Sequence, residues 1–352
     1  ETNLPVNPSA LVVGGGVAGL TAALSLARQG YPVHLVEKSE ILGGNARSLN
    51  KTYQGEDSVG FVADLIRQVE TEPHISVHLG TTVSGVDGFV GNFETILSNG
   101  GLQETLDHGV AILATGAKED NPLEYLYGEH AAVITQLEMD ELFINDDLRI
   151  NRAGDVVFIQ CVGSRNKAHP YCSKVCCTHS IKNALELKNR NPETNVYILY
   201  RDIRTYGKRE DLYQEARSRG VLFFRYDPDE KPVVTAVGNR VAVKFKDPIL
   251  GRMLSVNADI LCLAAAIVPY TDLSLSRFFK IPVDSDGWLL EAHQKLRPVE
   301  CATEGVFLCG MGHYPKPIEE SIAQAQAAAA KALTILARDN IMVGGIVARI
   351  EP

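Results

Sequence analysis

Apolar residues along this chain fall in short runs separated by glycine-marked turns and by longer amphipathic stretches. Ala10-Leu11-Val12-Val13 reads as a buried strand, and the small and apolar residues from Ala18 to Ala27 read as a helix that Gly30 ends. Val33-His34-Leu35-Val36 follows as the next strand, so the opening is a βαβ unit. The pattern recurs: Val156 to Ile159 is a strand, about Ser180 to Asn189 a helix, and Val196 to Arg201 another strand. The longest apolar run, Ile260 to Val268, is strand-length. Near the C-terminus, Gly305-Val306-Phe307-Leu308-Cys309-Gly310 is a strand, followed by a helix from about Ile318 through Ala330. From Glu319 to Leu336 that helix is alanine-rich, which suits close packing against the first domain or across a dimer.

The first turn reads Gly14-Gly15-Gly16-Val17-Ala18-Gly19, a GxGxxG match, and Glu37 closes the second strand. Glycines there permit a tight turn and let backbone N–H groups approach a pyrophosphate. The helix N-terminus favours its charge, and Glu37 is the expected acceptor for ribose hydroxyls. Gly43-Gly44 and the strand Ala111-Ile112-Leu113-Ala114-Thr115-Gly116-Ala117 follow. Together these segments resemble two-dinucleotide flavoproteins of the glutathione and thioredoxin reductase type. That resemblance implies an α/β fold, with an FAD-binding Rossmann-like domain (1–120 and 285–352) around a second, inserted nucleotide-binding-like α/β domain (121–284). The expected cofactor contacts are Gly14, Gly16, Val17, Ala18, Gly19, Glu37, Lys38, Gly43, Gly44, Asn45, Ala114, Thr115, Gly116, Gly310, Met311 and Ile318. Met311 departs from the usual Gly-Asp pair, whose aspartate holds the ribityl chain.

The second βαβ unit lacks the glycine fingerprint. Its turn reads Gln160-Cys161-Val162-Gly163-Ser164-Arg165, Tyr200 stands where Glu37 stands in the first unit, and a loop is inserted before the helix. Four of the seven cysteines in 352 residues crowd between positions 161 and 177: Cys161, Cys172, Cys176 and Cys177. Four thiols at the end of a buried strand suit a [4Fe–4S] cluster. Buried core cysteines and a zinc site are the alternatives, although a vicinal pair strains tetrahedral ligation by one ion. Metal ligation is expected to give the loop the order that local hydrogen bonds do not. His169 and His179 flank the cysteines as supporting residues rather than ligands. Arg201, Arg204, Lys208 and Arg209 form a basic patch, either solvated or facing an acidic partner.

Composition narrows the classes. Hydrophobic content of 45% and charged content of 22% fit a globular chain, and a net charge of −9 disfavours nucleic acid. No apolar run approaches the ~18 residues of a membrane span. With no basic-then-apolar leader and clustered, odd-numbered cysteines, a reducing cytoplasm is expected. The absent initial methionine leaves the natural start open.

Several motifs jointly resemble the heterodisulfide reductase HdrA family: the Gly14–Gly19 turn, Leu42-Gly43-Gly44-Asn45-Ala46, Gln160 to Arg165, and Pro170 to Thr178. Tyr200-Arg201-Asp202-Ile203-Arg204-Thr205-Tyr206-Gly207 and Gly312-His313-Tyr314-Pro315-Lys316-Pro317 complete the set. The resemblance implies FAD and a [4Fe–4S] cluster on Cys161, Cys172, Cys176 and Cys177, near enough to the flavin to exchange electrons. It also implies partner subunits of a heterodisulfide reductase-like complex, electron donor or acceptor proteins, and a homodimer. Full-length members carry a further N-terminal domain and ferredoxin-type CxxCxxC motifs, so a chain stopping at Ile350-Glu351-Pro352 is expected to be a short form or an excised flavin core. The rival functions are a pyridine-nucleotide-dependent disulfide reductase with Cys176 and Cys177 as its redox pair, and an FAD-binding assembly scaffold. His313 is a candidate for proton relay.

Overall fold

A computed structural model describes residues 2–343, so the terminal residues 350–352 lie outside it. The chain divides into two compact units: 1–46, 60–117 and 269–352 form the first, and 47–59 with 118–268 the second.

The first unit is built on five parallel strands in the order Val306–Leu308, Val110–Leu113, Ala10–Val13, Val33–Val36, Ile75–His78. The three innermost are apolar and buried along almost their whole length, as expected for a sheet covered on both faces. An antiparallel meander, Thr82–Phe89, Asn92–Asn99 and Leu102–His108, adds Val83, Phe93, Leu97 and Leu106 to the core under Leu11 and Leu113. Residues 269–284 belong to this unit, because Phe279 and Ile281 are buried in that same core; the chain therefore returns at Pro269 rather than at 285. The alanine-rich helix runs Ile318–Leu336 and packs on the first helix, Val17–Ala27, within the chain. Its buried positions include Ala325, Ala328, Ala329 and Ala332, whose small side chains allow a close approach.

The second unit repeats the plan. Its parallel order is Val133–Thr135, Ile260–Ala265, Asp155–Val162, Asn195–Tyr200, Leu222–Arg225, again with a three-stranded antiparallel meander from Val233 to Ala258. The helix expected from about Ser180 starts earlier, spanning Cys176–Arg190, so the vicinal cysteines form its first turn. Among the described residues no helix is long and apolar enough to cross a membrane.

A buried carboxylate fixes this helix. Asp140 is fully buried, and its Oδ2 accepts from Lys182 Nζ at 2.8 Å, from the Asn50 backbone N–H at 3.1 Å, and from His179 Nε2 at 3.1 Å. Burial pushes the Asp140 carboxyl up, but the neighbouring His179 and Lys182 outweigh it and bring it down to about 2. A carboxyl held below its ordinary value of 3.8 stabilises the fold above about pH 4, and that contribution is lost as pH falls towards 2. Asp140→Asn should therefore cost about 3 kcal/mol near neutral pH, because the half-buried Lys182 is left without its counter-charge. It should also flatten the acid limb of stability. Chemical unfolding midpoints measured across pH check both effects; an unchanged midpoint would remove Asp140 from this role.

Candidate dinucleotide and cysteine sites

In the first unit, three parallel strand ends converge at one sheet edge, the edge at which doubly wound folds place their ligands. Their approach is backbone to backbone. A Cβ on Gly14 would lie 2.2 Å from the Ala114 carbonyl oxygen, and one on Gly19 would lie 1.8 Å from the Gly14 oxygen. A Cβ on Gly310 would lie 2.7 Å from Ala18 Cβ, and one on Gly312 would lie 2.6 Å from Thr115 Oγ1. Gly16 differs, because nothing lies within 4 Å of the position its Cβ would take. That open side, at the N-cap of Val17–Ala27, is a cradle suited to a pyrophosphate.

Glu37 is already engaged here. Its Oε2 accepts from the Gly15 N–H at 2.6 Å, and its Oε1 accepts from the Ser39 N–H and hydroxyl, both at 2.8 Å. The carboxylate expected to meet a ribose thus also ties the glycine turn to the second strand. Lys38 lies over the Tyr270 ring with Nζ 3.5 Å from its centroid, and Asn45 Nδ2 donates to the Ala117 carbonyl at 2.9 Å. The Gly43 N–H donates to the Gly15 carbonyl, and Gly44 packs on Gly16. Met311 lies in a short 3-10 turn, Gly310–Gly312, and Ile318 opens the long helix behind its Pro317 N-cap.

In the second unit the corresponding edge carries the cysteines. Cys161 sits within Asp155–Val162, not in a turn after it, at a register shift between Ile159 and Val162. Such a bulge re-aims a strand side chain. Cys161 has φ +63°, Gly163 φ +74°, Arg165 φ +56° and Lys174 φ +61°. Repeated left-handed backbone of this kind persists where surrounding structure imposes it, and it gathers at ligand sites.

The loop is ordered by its own hydrogen bonds, contrary to the expectation that only metal would order it. The Arg165 N–H donates to the Tyr171 carbonyl, the Asn166 N–H to the His169 carbonyl, and His169 Nδ1 pairs with the Gly163 oxygen. Ser173 Oγ accepts from the Ile267 N–H at 2.9 Å, and Tyr171 Oη donates to the Ile267 carbonyl at 3.0 Å. The histidines are thus committed elsewhere: His169 to this loop and His179 to Asp140.

All four thiols are free. Cys176 and Cys177 are buried, and burial pushes both up, Cys177 to about 11. The other thiols add to the rise: Cys161 and Cys172 both act on Cys176 and on Cys177, so the four lie within mutual electrostatic range. Burial also raises Cys161, against the pull of Arg165, whose Nη1 lies 3.9 Å from the sulfur. The Lys174 N–H donates to Cys172 Sγ at 3.3 Å. Among the described residues no group of three or more His, Cys, Asp or Glu is arranged around a single metal ion. The donor set fits a cluster chemically: four gathered thiols, two with N–H donors on sulfur and two at a helix N-terminus, where thiolate charge is favoured.

Cys262, Cys301 and Cys309 are free and fully buried. The basic patch disperses: Arg209 is buried with its guanidinium over the Tyr206 and Tyr53 rings, Arg201 donates to the Arg165 carbonyl, and Arg204 pairs with Asp202. Sequence reasoning missed Gln136, Gln160 and Ser180, whose buried side chains bond one another behind Cys176. It also missed Glu119, pushed up to about 7 by burial. Gln160 lies in the Gln160 to Arg165 motif, which gives it no role, and the others carry no motif or spacing signal.

Residues 12–80 match the family model of an NAD(P)-binding Rossmann-like domain. The fold is that of the thioredoxin reductases: T. acidophilum thioredoxin reductase matches with a TM-score of 0.64 at 16% identity, over 92% of this chain and 97% of that one. Lactococcus lactis thioredoxin reductase matches with the same TM-score at 17% identity, over 94% and 99%. In sequence, the chain is 30% identical to the second HdrA iron-sulfur protein of the CoB–CoM heterodisulfide reductase of Methanopyrus kandleri, over 98% of this chain and 67% of the relative. It is 29% identical to the HdrA protein of the H2:CoB–CoM heterodisulfide, ferredoxin reductase of Methanothermobacter marburgensis, over 99% and 67%. The chain belongs to the heterodisulfide reductase HdrA family and is an oxidoreductase.

The glycine contacts separate folding from ligand binding. Gly14→Ala places a methyl against the Ala114 carbonyl at φ +114°, and should destabilise the first unit by at least about 2 kcal/mol. Gly16→Ala should cost less than about 1 kcal/mol in stability, yet it fills the cradle and should abolish dinucleotide retention. Thermal unfolding alongside bound-cofactor content distinguishes the two. Full cofactor content in Gly16→Ala would show that the phosphate lies elsewhere.

Proposed function

We propose that this protein is the FAD- and [4Fe–4S]-containing electron-transfer subunit of a heterodisulfide reductase-like complex, working in a reducing compartment. The gathering of four thiols at the ligand edge of a dinucleotide-type fold, Cys176 and Cys177 buried and Cys161 and Cys172 half-buried, carries this reading. Bound FAD would accept or give electrons in pairs or singly, and a cluster singly, which is what a relay between partner subunits requires. The chain's own part is positioning and electrostatics. Gly14 and Gly19 let the turn pack against backbone, Gly16 leaves the cradle open for a pyrophosphate, and Glu37 holds the turn that receives it. Cys161, Cys172, Cys176 and Cys177 would hold the cluster. The Lys174 N–H and the Arg165 guanidinium at Cys172 and Cys161 would stabilise charge on sulfur and raise the potential. A disulfide reductase using Cys176 and Cys177 is disfavoured, because thiols raised this far supply little nucleophilic thiolate.

Anaerobically purified protein should release one FAD per chain on acid treatment and contain about four irons and four sulfides. Cys176→Ala or Cys177→Ala should remove the cluster's absorbance and EPR signal while FAD stays bound. Zinc as the metal, or unchanged iron in both variants, would contradict the cluster.

NADH and NADPH should reduce the flavin slowly or not at all. Cys161 and its loop replace the second phosphate-binding turn, and Tyr200, packed edge-on to Phe223, replaces the ribose acid. Anaerobic stopped-flow checks this; saturable bleaching faster than about 10 per second would favour the disulfide reductase instead.

A further inference from the structure

Gly310 is held at both its N–H and its carbonyl by side chains outside the expected cofactor contacts. Its N–H donates to Gln324 Oε1 at 3.0 Å, and its carbonyl accepts from the buried Lys316 ammonium. Gln324 Nε2 lies 2.8 Å from His313 Nδ1, and His313 Nε2 lies 2.6 Å from Glu291 Oε2. A backbone N–H is an obligate donor, so it fixes the Gln324 amide with oxygen towards Gly310 and NH2 towards the imidazole. His313 Nδ1 must then accept, and the ring proton sits on Nε2, donated to Glu291.

We propose that His313 and Gln324 are positioning residues that lock the Gly310–Gly312 turn of the dinucleotide site only while His313 is neutral. Protonation at Nδ1 would set two donors against each other. Turning the amide over would satisfy the imidazolium but would face the Gln324 NH2 towards the Gly310 N–H, leaving a buried donor without an acceptor. Either outcome loosens a turn that has no slack, since Gly310 sits at φ +72° against Ala18.

The surroundings favour the neutral ring. Burial lowers His313 first, and Lys316 lowers it further; Glu291 and Asp284 pull the other way. The Tyr314 ring lies beside the imidazole, with centroids 4.4 Å apart. Protons can still reach the ring, because a cleft of about 510 Å³ is lined by Glu291, His313, Tyr314, Lys316, Glu320 and Gln324. A histidine lowered in the folded state binds fewer protons than in the unfolded chain. The locked turn is therefore favoured above the ordinary histidine value of 6.5 and is weakened as pH falls below it.

This inference rests on the FAD reading, so two measurements keep them apart. FAD affinity, followed by flavin fluorescence on the holoprotein, should fall about three- to tenfold from about pH 8 to about pH 5. In His313→Asn, whose amide oxygen can accept from Gln324 at any pH, the ratio should be close to one. Nitrogen-15 spectra of labelled histidine should show His313 as the Nε2–H tautomer at about pH 8, whether or not FAD is present. Absence of FAD binding at about pH 8 would count against the FAD reading alone. Equal pH ratios in wild type and His313→Asn, or an Nδ1–H tautomer, would overturn the proposed lock.

Discussion

The first unit depends on contact between bare backbones at one sheet edge. Gly14 meets the Ala114 carbonyl, Gly19 meets Gly14, and Gly310 meets Ala18 at distances that leave no room for a Cβ. This closeness brings the ends of Ala10–Val13, Val110–Leu113 and Val306–Leu308 together, although these strands are far apart in sequence. It also explains the alanine-rich helix, which must lie close to Val17–Ala27 for the Gly310 turn to reach Ala18. Small residues in the two helices and bare glycines in the turns serve the same end. Within the first turn, Gly16 has open space where its Cβ would lie, and it is placed to face a ligand.

The second unit keeps the order of four strands, takes its edge strand Val133–Thr135 from before them rather than after, and changes what stands at the ligand edge. A glycine turn presents N–H groups to an anion; here a bulge at Cys161 and a vicinal pair in the first turn of Cys176–Arg190 present sulfur. The helix N-terminus retains its electrostatic role, since a site that favours phosphate also favours thiolate. On the proposed reading, phosphate binding and metal binding would therefore draw on the same feature of the fold, with the ligand set by the side chains placed there.

Regular periodicity and special residues made much of this legible in sequence. The opening βαβ unit, the glycine turn and the strand ending at Thr115 are continuous local patterns, and the structure places them within a few residues of expectation. The start of the cysteine helix was hidden, because Val175 caps it without a side-chain hydrogen bond and so leaves no capping signature. The return of the chain at Pro269 was hidden for another reason. Phe279 and Ile281 join the first core through contacts that only the tertiary fold creates. Asp140, Glu119 and the pairing of Gln324 with His313 were likewise invisible, although His313 itself stood out. Their character comes from burial and from partners distant in sequence, and neither leaves a local pattern. The basic patch shows the converse: four cations close in sequence read as one surface, yet Arg209 turns inward onto two tyrosines.

The thiol site also constrains how a metal could be taken up. Burial, with repulsion among the thiols, raises Cys161, Cys176 and Cys177 and so favours their uncharged form in the free chain. The loop's hydrogen bonds to the Ile267 backbone hold it in place in that neutral state. On the proposed reading, ligation would release protons, and a bound cluster would supply the positive charge that the surroundings withhold. Arg165 is the cation nearest Cys161, and it is shared with Asp202 at 2.6 Å, so it offsets only part of a thiolate's charge. On that reading, thiols held in place this way would bind metal at the cost of deprotonation rather than of ordering. On the proposed reading, losing the cluster would leave the second unit folded, whereas in small zinc domains metal loss and unfolding are a single event.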